Sequence, residues 1–347
     1  MRYIIIIIVF GFGVNVFFAA APKKAVPVNT VTTPLAFVVP PHFPQPKYNF
    51  AGNALTQEAF ALGKKIFYDV SLSSNGQVSC ASCHQQFAGF VMYNHNLAHG
   101  VDDKHTTRNP QPLINLAWST DMLWDGAANN LEVQPLGPLT ASNEMNLSLA
   151  ETIAKLNASP TYKRMFAAAY GDKMITSQRM LKAIAQYLVM LVSANSKYDK
   201  VQQGHAKFNP LENLGYAVFK NKCTSCHAEP LFTDLTYRNI GLPVDTFLND
   251  YGRMRVTLQA SDSLKFKVPT LRNITLTMPY MHDGRMNSLD EVIDHYRFNV
   301  VKSNTVDSIV KNRISISQTE QAALVAFMQT LTDTSFTRNP LYSPANN

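Results

Sequence analysis

The chain has 347 residues, 46% of them hydrophobic and 16% charged, with a formal net charge of +7. That length suggests two domains. The 31 lysines and arginines form no basic run of the kind that marks a nucleic-acid surface, which sets nucleic acid aside as a partner.

The N-terminus, "MRYIIIIIVFGFGVNVFFAAAP", has one arginine, then an apolar run, then small residues. It reads as a secretory signal peptide over residues 1–21, with an apolar stretch short for a membrane span. Pro22 and the bulky Phe18 make cleavage near Ala20 or Ala21 imperfect. Export, to the periplasm in a bacterium, is the expectation. Residues 22–47 are proline-rich without helical periodicity and read as an extended tether.

Beyond the tether the chain repeats itself. "ALGKKIFYD" (61–69) precedes "CASCH" (80–84), and "NLGYAVFKN" (213–221) precedes "CTSCH" (223–227). Each lead-in carries G-x-x-x-F: Gly63 with Phe67, and Gly215 with Phe219. A glycine one turn from an aromatic lets a second helix approach closely on that face. Each half then closes with apolar residues at helical spacing: Leu181, Ile184, Leu188 and Leu191, then Leu324, Phe327, Met328 and Leu331. Ser317 and Glu320 predict a capping box at the start of the last helix.

The two pentads use all 4 cysteines of the chain. C-x-x-C-H is the attachment signature of c-type haem. The two thiols bond the vinyl-derived carbons along one porphyrin edge, and the histidine turns under the ring to ligate iron. Cys80 and Cys83 are therefore expected to form thioethers with His84 as proximal ligand, and Cys223, Cys226 and His227 to repeat the arrangement. Four thiolates on one structural zinc, a redox dithiol and disulfides are the alternatives. Export suits covalent haem attachment. Arginines such as Arg272 and Arg285 are expected to pair with haem propionates.

Helix, haem motif, loops and closing helix outline a cytochrome c unit. The expected fold is mostly α: two tandem cytochrome c-like domains, 48–203 and 204–340, each with one covalently bound haem.

The sequence resembles the bacterial di-haem cytochrome c peroxidases and their MauG-type relatives from about residue 50 to 335. The matching stretches are "CASCH", "RNPQPLINLAW", "LWDGAANNLEVQPLGPLTASNEM", "CTSCH" and "FKVPTLRNITLTMPYMHDGRMNSLDEVIDHY". The resemblance implies that the first haem meets peroxide and the second receives electrons. It also implies that Trp124 lies between them, that Gln134 and Pro138 border the peroxide pocket, and that Glu144 is the acid–base. Burial by Leu139 and Met145 would tune that carboxyl group.

At the sixth position of the second haem, ordinary peroxidases of the family carry methionine; here Tyr296 stands, as in MauG-type members. A phenolate lowers the reduction potential where methionine raises it. Met278, Met281 and Met286 remain candidate ligands. For the first haem, the resemblance points to a labile histidine at His99, with His95 and His105 close enough to compete. It further implies calcium held by the Asn109 side chain and the Thr277 and Pro279 carbonyls.

The expected function is hydrogen peroxide reduction with electrons from a small cytochrome c or cupredoxin. A MauG-like oxidation of Trp or Tyr on a partner protein and a non-enzymatic electron carrier are the rivals. Homodimers are common among the relatives.

Overall fold

The computed structural model describes residues 32–344. The signal-peptide reading and the tether's residues 22–31 lie outside the described residues. Among the described residues the helices are α1 (Gln57–Tyr68), α2 (Cys80–Cys83), α3 (Leu136–Thr140), α4 (Leu149–Ala158), α5 (Pro160–Tyr170), α6 (Ser177–Val189), α7 (Lys197–Gln202), α8 (Pro210–Lys222), α9 (Met254–Thr257), α10 (Leu289–Asp294), α11 (Gln318–Gln329) and α12 (Thr334–Thr337). Sheet among the described residues is limited to β1 (Tyr237–Arg238) and β2 (Phe266–Lys267), paired antiparallel with Tyr237 opposite Lys267. The chain is mostly helical, as its periodicity predicts.

Two helix pairs organise the packing: α1 against α6, and α8 against α11. Each starts where a side chain takes up free backbone N–H groups. Thr56 accepts from Ala59 N, Thr176 from Arg179 N, and Asn209 and Ser317 head capping boxes with Glu212 and Glu320. The glycines decide how closely the pairs approach. A Cβ on Gly63 would lie 1.9 Å from the Ala183 carbonyl oxygen, and one on Gly215 would lie 1.9 Å from that of Ala323. Phe67 and Phe219, one turn on, are buried at 1% exposure each. Leu191 and Leu331 fall just past the ends of α6 and α11 yet are fully buried.

One apolar cluster joins Phe43, α1 and α4–α6; another joins Tyr198, α8, α10 and α11. The C-terminal tail returns to the first: Phe336 and Tyr342 pack into it, and the Tyr342 carbonyl accepts from Tyr68 Oη at 2.9 Å and Tyr187 Oη at 2.8 Å.

The described part of the tether, 32–47, is non-helical and packed down. The Pro44 carbonyl accepts from Trp118 Nε1 at 2.7 Å, and His42 Nε2 sits 2.7 Å from Asp199 Oδ1. Asp199 also pairs with Arg272 at 2.8 and 3.0 Å, both residues being fully buried, and the Arg272 guanidinium lies over Phe43 and Phe232. This corrects the expectation that Arg272 serves a propionate: its fork is committed to Asp199. Arg285 is likewise held by Asp283.

Gly63→Ala and Gly215→Ala should each destabilise the protein by about 1–3 kcal/mol or more, because a methyl group would force backbone apart. Gly137→Ala, with open space around its position, should be near neutral. Thermal unfolding of the three variants checks this.

Candidate haem-binding and catalytic site

Each C-x-x-C-H segment sits at the foot of a close helix pair. In the first, Ser79 and Ser82 form a capping box that starts the single turn α2, which presents Cys80 and Cys83. His84 Nδ1 donates to the Phe90 carbonyl at 2.8 Å. In the second, His227 Nδ1 donates to the Phe232 carbonyl at 3.2 Å. With the proton fixed on Nδ1, Nε2 keeps its lone pair free for a metal. Burial lowers both histidine pKa values and keeps the rings neutral. Phe90 (φ 62°) and Phe232 (φ 57°) both adopt the left-handed conformation, uncommon for a bulky residue, and both are fully buried. The same strained turn aims a carbonyl at the histidine in both halves.

The four cysteines are free. Burial pushes the Cys80, Cys83 and Cys223 thiols up to about 12 and raises Cys226 as well. The pairs also border different cavities: Cys83 and His84 line one, and Cys223, Cys226 and His227 line the other. The four-thiolate zinc alternative is therefore not assembled, whereas both cavities fit a thioether-anchored haem with a free histidine Nε2.

The His84 cavity is also lined by Gln134, Pro138 and Glu144. Leu139 and Met145, on either side of Glu144 in the sequence, are buried, and desolvation raises the Glu144 pKa above its ordinary 4.5. The segment is pinned from behind. Val101 N donates to the Glu144 carbonyl at 2.7 Å, and Gly100 packs directly on Asn143 and Glu144. His99 does not line this cavity; its Nδ1 bonds Asp103 Oδ1 at 2.5 Å, and its ring meets those of His95 and His105.

The His227 cavity is also lined by Tyr296 and Met281, whereas Met278 and Met286 pack in the neighbouring apolar cluster. Tyr296 lies in a π-helical turn, His295–Asn299, that continues α10. Such turns recur at functional sites. Burial, then the Cys226 and Cys223 sulfurs, raise the pKa of its phenol above the usual tyrosine range. Asn109, Thr277 and Pro279 all line this cavity. Asn109 Nδ2 donates to the Pro279 carbonyl at 2.7 Å, leaving its buried Oδ1 without a hydrogen-bond partner. An orphaned oxygen beside backbone carbonyls is the chemistry a hard cation accepts.

The two cavities share a wall. Trp124, Asn109, Lys267 and Val268 line both, and Trp124 Nε1 donates to the Asn109 carbonyl at 2.8 Å. The C-x-x-C-H motifs alone point to neither the carbonyls of Phe90 and Phe232 nor Lys267. The only sequence sign of the first two is an aromatic five or six places after each motif histidine.

A mostly helical chain with two C-x-x-C-H cavities defines a di-haem c-type protein. The profile of the family described as di-haem cytochrome c peroxidase matches residues 57–207. The methylamine utilization protein MauG of Methylorubrum extorquens is 36% identical over 84% of this chain and 82% of its own. Cytochrome c551 peroxidase of Nitrosomonas europaea is 35% identical over 82% and 84%. A MauG-like protein associated with microbial copper homeostasis, whose structure is solved, is 31% identical, with TM-score 0.79 over 89% of this chain and 99% of that one. The chain belongs to the di-haem cytochrome c peroxidase/MauG family and is a peroxidase-type oxidoreductase.

A Cβ on Gly100 would lie 2.2 Å from the Asn143 oxygen and 2.6 Å from Glu144 Cα. Gly100→Ala should therefore displace the Glu144 segment at a cost of about 1–3 kcal/mol. Faster amide exchange at Val101, whose N–H bonds that segment, is the expected readout.

Proposed function

We propose that the protein is an exported, periplasmic peroxidase that reduces hydrogen peroxide to water in the His84 cavity, with electrons entering through the His227 cavity. The observation that carries this reading is the asymmetry across a shared wall: Glu144, Gln134 and Pro138 line the His84 cavity alone, while Trp124 lines both. Cys80 and Cys83 with His84, and Cys223 and Cys226 with His227, would hold two haem c groups, one in each of two cytochrome c-like units, 48–203 and 204–340. The haem iron, when bound, supplies the coordination site and the redox equivalents.

In this reading one peroxide takes up two electrons and two protons and leaves as two waters. Glu144 accepts the proton of the inner oxygen on its carboxylate and returns it to the outer oxygen, which departs as water. Gln134 and Pro138 confine the peroxide. Trp124 offers an oxidisable π-system at the wall that the two cavities share. Asn109 Oδ1 with the Thr277 and Pro279 carbonyls would hold calcium at the edge of the His227 cavity. A small cytochrome c or cupredoxin is the electron donor, and a homodimer is the assembly that the family resemblance implies.

Tyr296 favours a second reading. A phenolate on the His227 side stabilises oxidised states, so the oxidising equivalents could be spent on Trp or Tyr residues of a partner protein, as the MauG resemblance implies. Rapid oxidation of a reduced cytochrome by peroxide supports the first reading; a long-lived near-infrared band after peroxide, with slow cytochrome turnover, supports the second.

Glu144→Gln should lower peroxide turnover by roughly 10²–10⁴-fold. Because burial raises the Glu144 pKa, the carboxylate is lost on acidification before an exposed glutamate would lose it. Turnover should fall as pH drops through a midpoint above 4.5, and that limb should be absent in the Gln variant. Tyr296→Met should raise the reduction potential of the second haem and change its spectrum; an unchanged spectrum removes Tyr296 from the ligand set.

A further inference from the structure

Lys267 is 7% exposed, and among the described residues its one hydrogen bond from Nζ goes to the Asp121 carbonyl at 2.7 Å. An ammonium has three N–H donors, so two are left over. The two carboxylates whose charge reaches it are engaged elsewhere. Asp121 Oδ2 accepts from Tyr237 Oη at 3.1 Å, and Asp125 takes Arg108 Nη1 at 2.6 Å and Ala127 N at 3.0 Å. The backbone, by contrast, is fixed. Lys267 N donates to the Trp124 carbonyl at 2.7 Å, and the residue pairs with Tyr237 across the β1–β2 ladder.

A buried ammonium lacking an anion is strongly disfavoured unless something supplies one. Burial pushes this one down to about 8. Lys267 lines both cavities. Most other cations on the cavity walls are already paired: Arg108 with Asp125 and Asp250, Arg238 with Asp234 and Asp307, and Lys222 with Glu320. Arg255, at the rim of the His84 cavity, is half-exposed, donates to the Asn249 carbonyl and lies 3.8 Å from Asp250. Arg272 and Arg285, the arginines that the sequence nominates, are committed to Asp199 and Asp283.

We propose that Lys267 is the shared carboxylate anchor of the two cofactors: its two remaining donors receive one haem propionate from each cavity, beside Trp124. This rests on the haem reading of both C-x-x-C-H motifs. A tetrapyrrole with propionate arms brings the anions that the site lacks, and an ammonium is a point charge able to serve acceptors from two directions. A cation between the two irons disfavours the ferric state of each, so it sets both potentials at once.

The test uses the haem-loaded full chain. Mass and a pyridine haemochrome assay first establish two haems in the wild type; their absence defeats the haem reading rather than this proposal. Spectroelectrochemical titration of Lys267→Met should then show both midpoint potentials lowered, each by at least a tenfold shift in the oxidised-to-reduced ratio, about 59 mV for one electron. The propionate bending band in resonance Raman spectra should move in the same variant. Lys267→Arg, which keeps the charge, should restore both. Where the Met variant fails to load, Lys267→Gln is measured in its place; failure of both neutral variants to load, with Arg loading normally, also supports an anchoring charge. Potentials unchanged in a loaded neutral variant, a shift confined to one haem, or failure of Arg to restore them each overturns the proposal.

Discussion

Backbone meeting backbone is the constraint on which this fold depends. At Gly63 and again at Gly215 a helix carries no side chain where a second helix crosses, so that a carbonyl of the partner occupies the space of a Cβ. The aromatic one turn later then packs into the seam. Each pair leaves a short turn at its foot, and the cysteines and histidine of each motif hang there. A left-handed phenylalanine finishes the cradle by giving its carbonyl to the histidine ring. The device occurs twice with the same key residues at different separations, so the duplication keeps the glycine, the aromatics and the motif while the segments between them vary in length.

What the sequence could reveal follows from range. The helix faces, the capping box of Ser317 and Glu320, and the C-x-x-C-H turns all depend on residues within a few positions of each other, and the structure contains them. Burial of the Glu144 segment was legible too, because Leu139 and Met145 are near neighbours. Pairings across the chain were not. Arg272 meets Asp199 over a separation of 73 residues, and nothing near either one marks the match. The ring of His99 turns to Asp103 and two other histidines, a choice made by a loop without periodicity. Lys267 looked like one more basic residue in "FKVPTLRN" until the two cavities were seen to share it.

Buried charge is handled in two ways. Asp199 and Arg272 satisfy each other in a dry setting, with His42 and Ser196 adding hydrogen bonds. Such a pair contributes little net stability but makes loss of either partner costly. It ties the tether, α7 and the loop that carries Phe232 to one point. Lys267 is the opposite case, a cation held in place by its backbone while its head group keeps donors in reserve. The first arrangement fixes the frame, and the second leaves the shared wall responsive to whatever occupies the cavities.

The returning tail bears on what holds the first half together. Tyr68 and Tyr187 belong to the first half, yet both phenols bond the carbonyl of Tyr342, and Phe336 packs beside Phe90. The core built around α1 and α6 is therefore closed by residues that lie beyond α11. Loosening Phe336 or Tyr342 would open the first half, although neither belongs to it, so the two halves share one hydrophobic boundary.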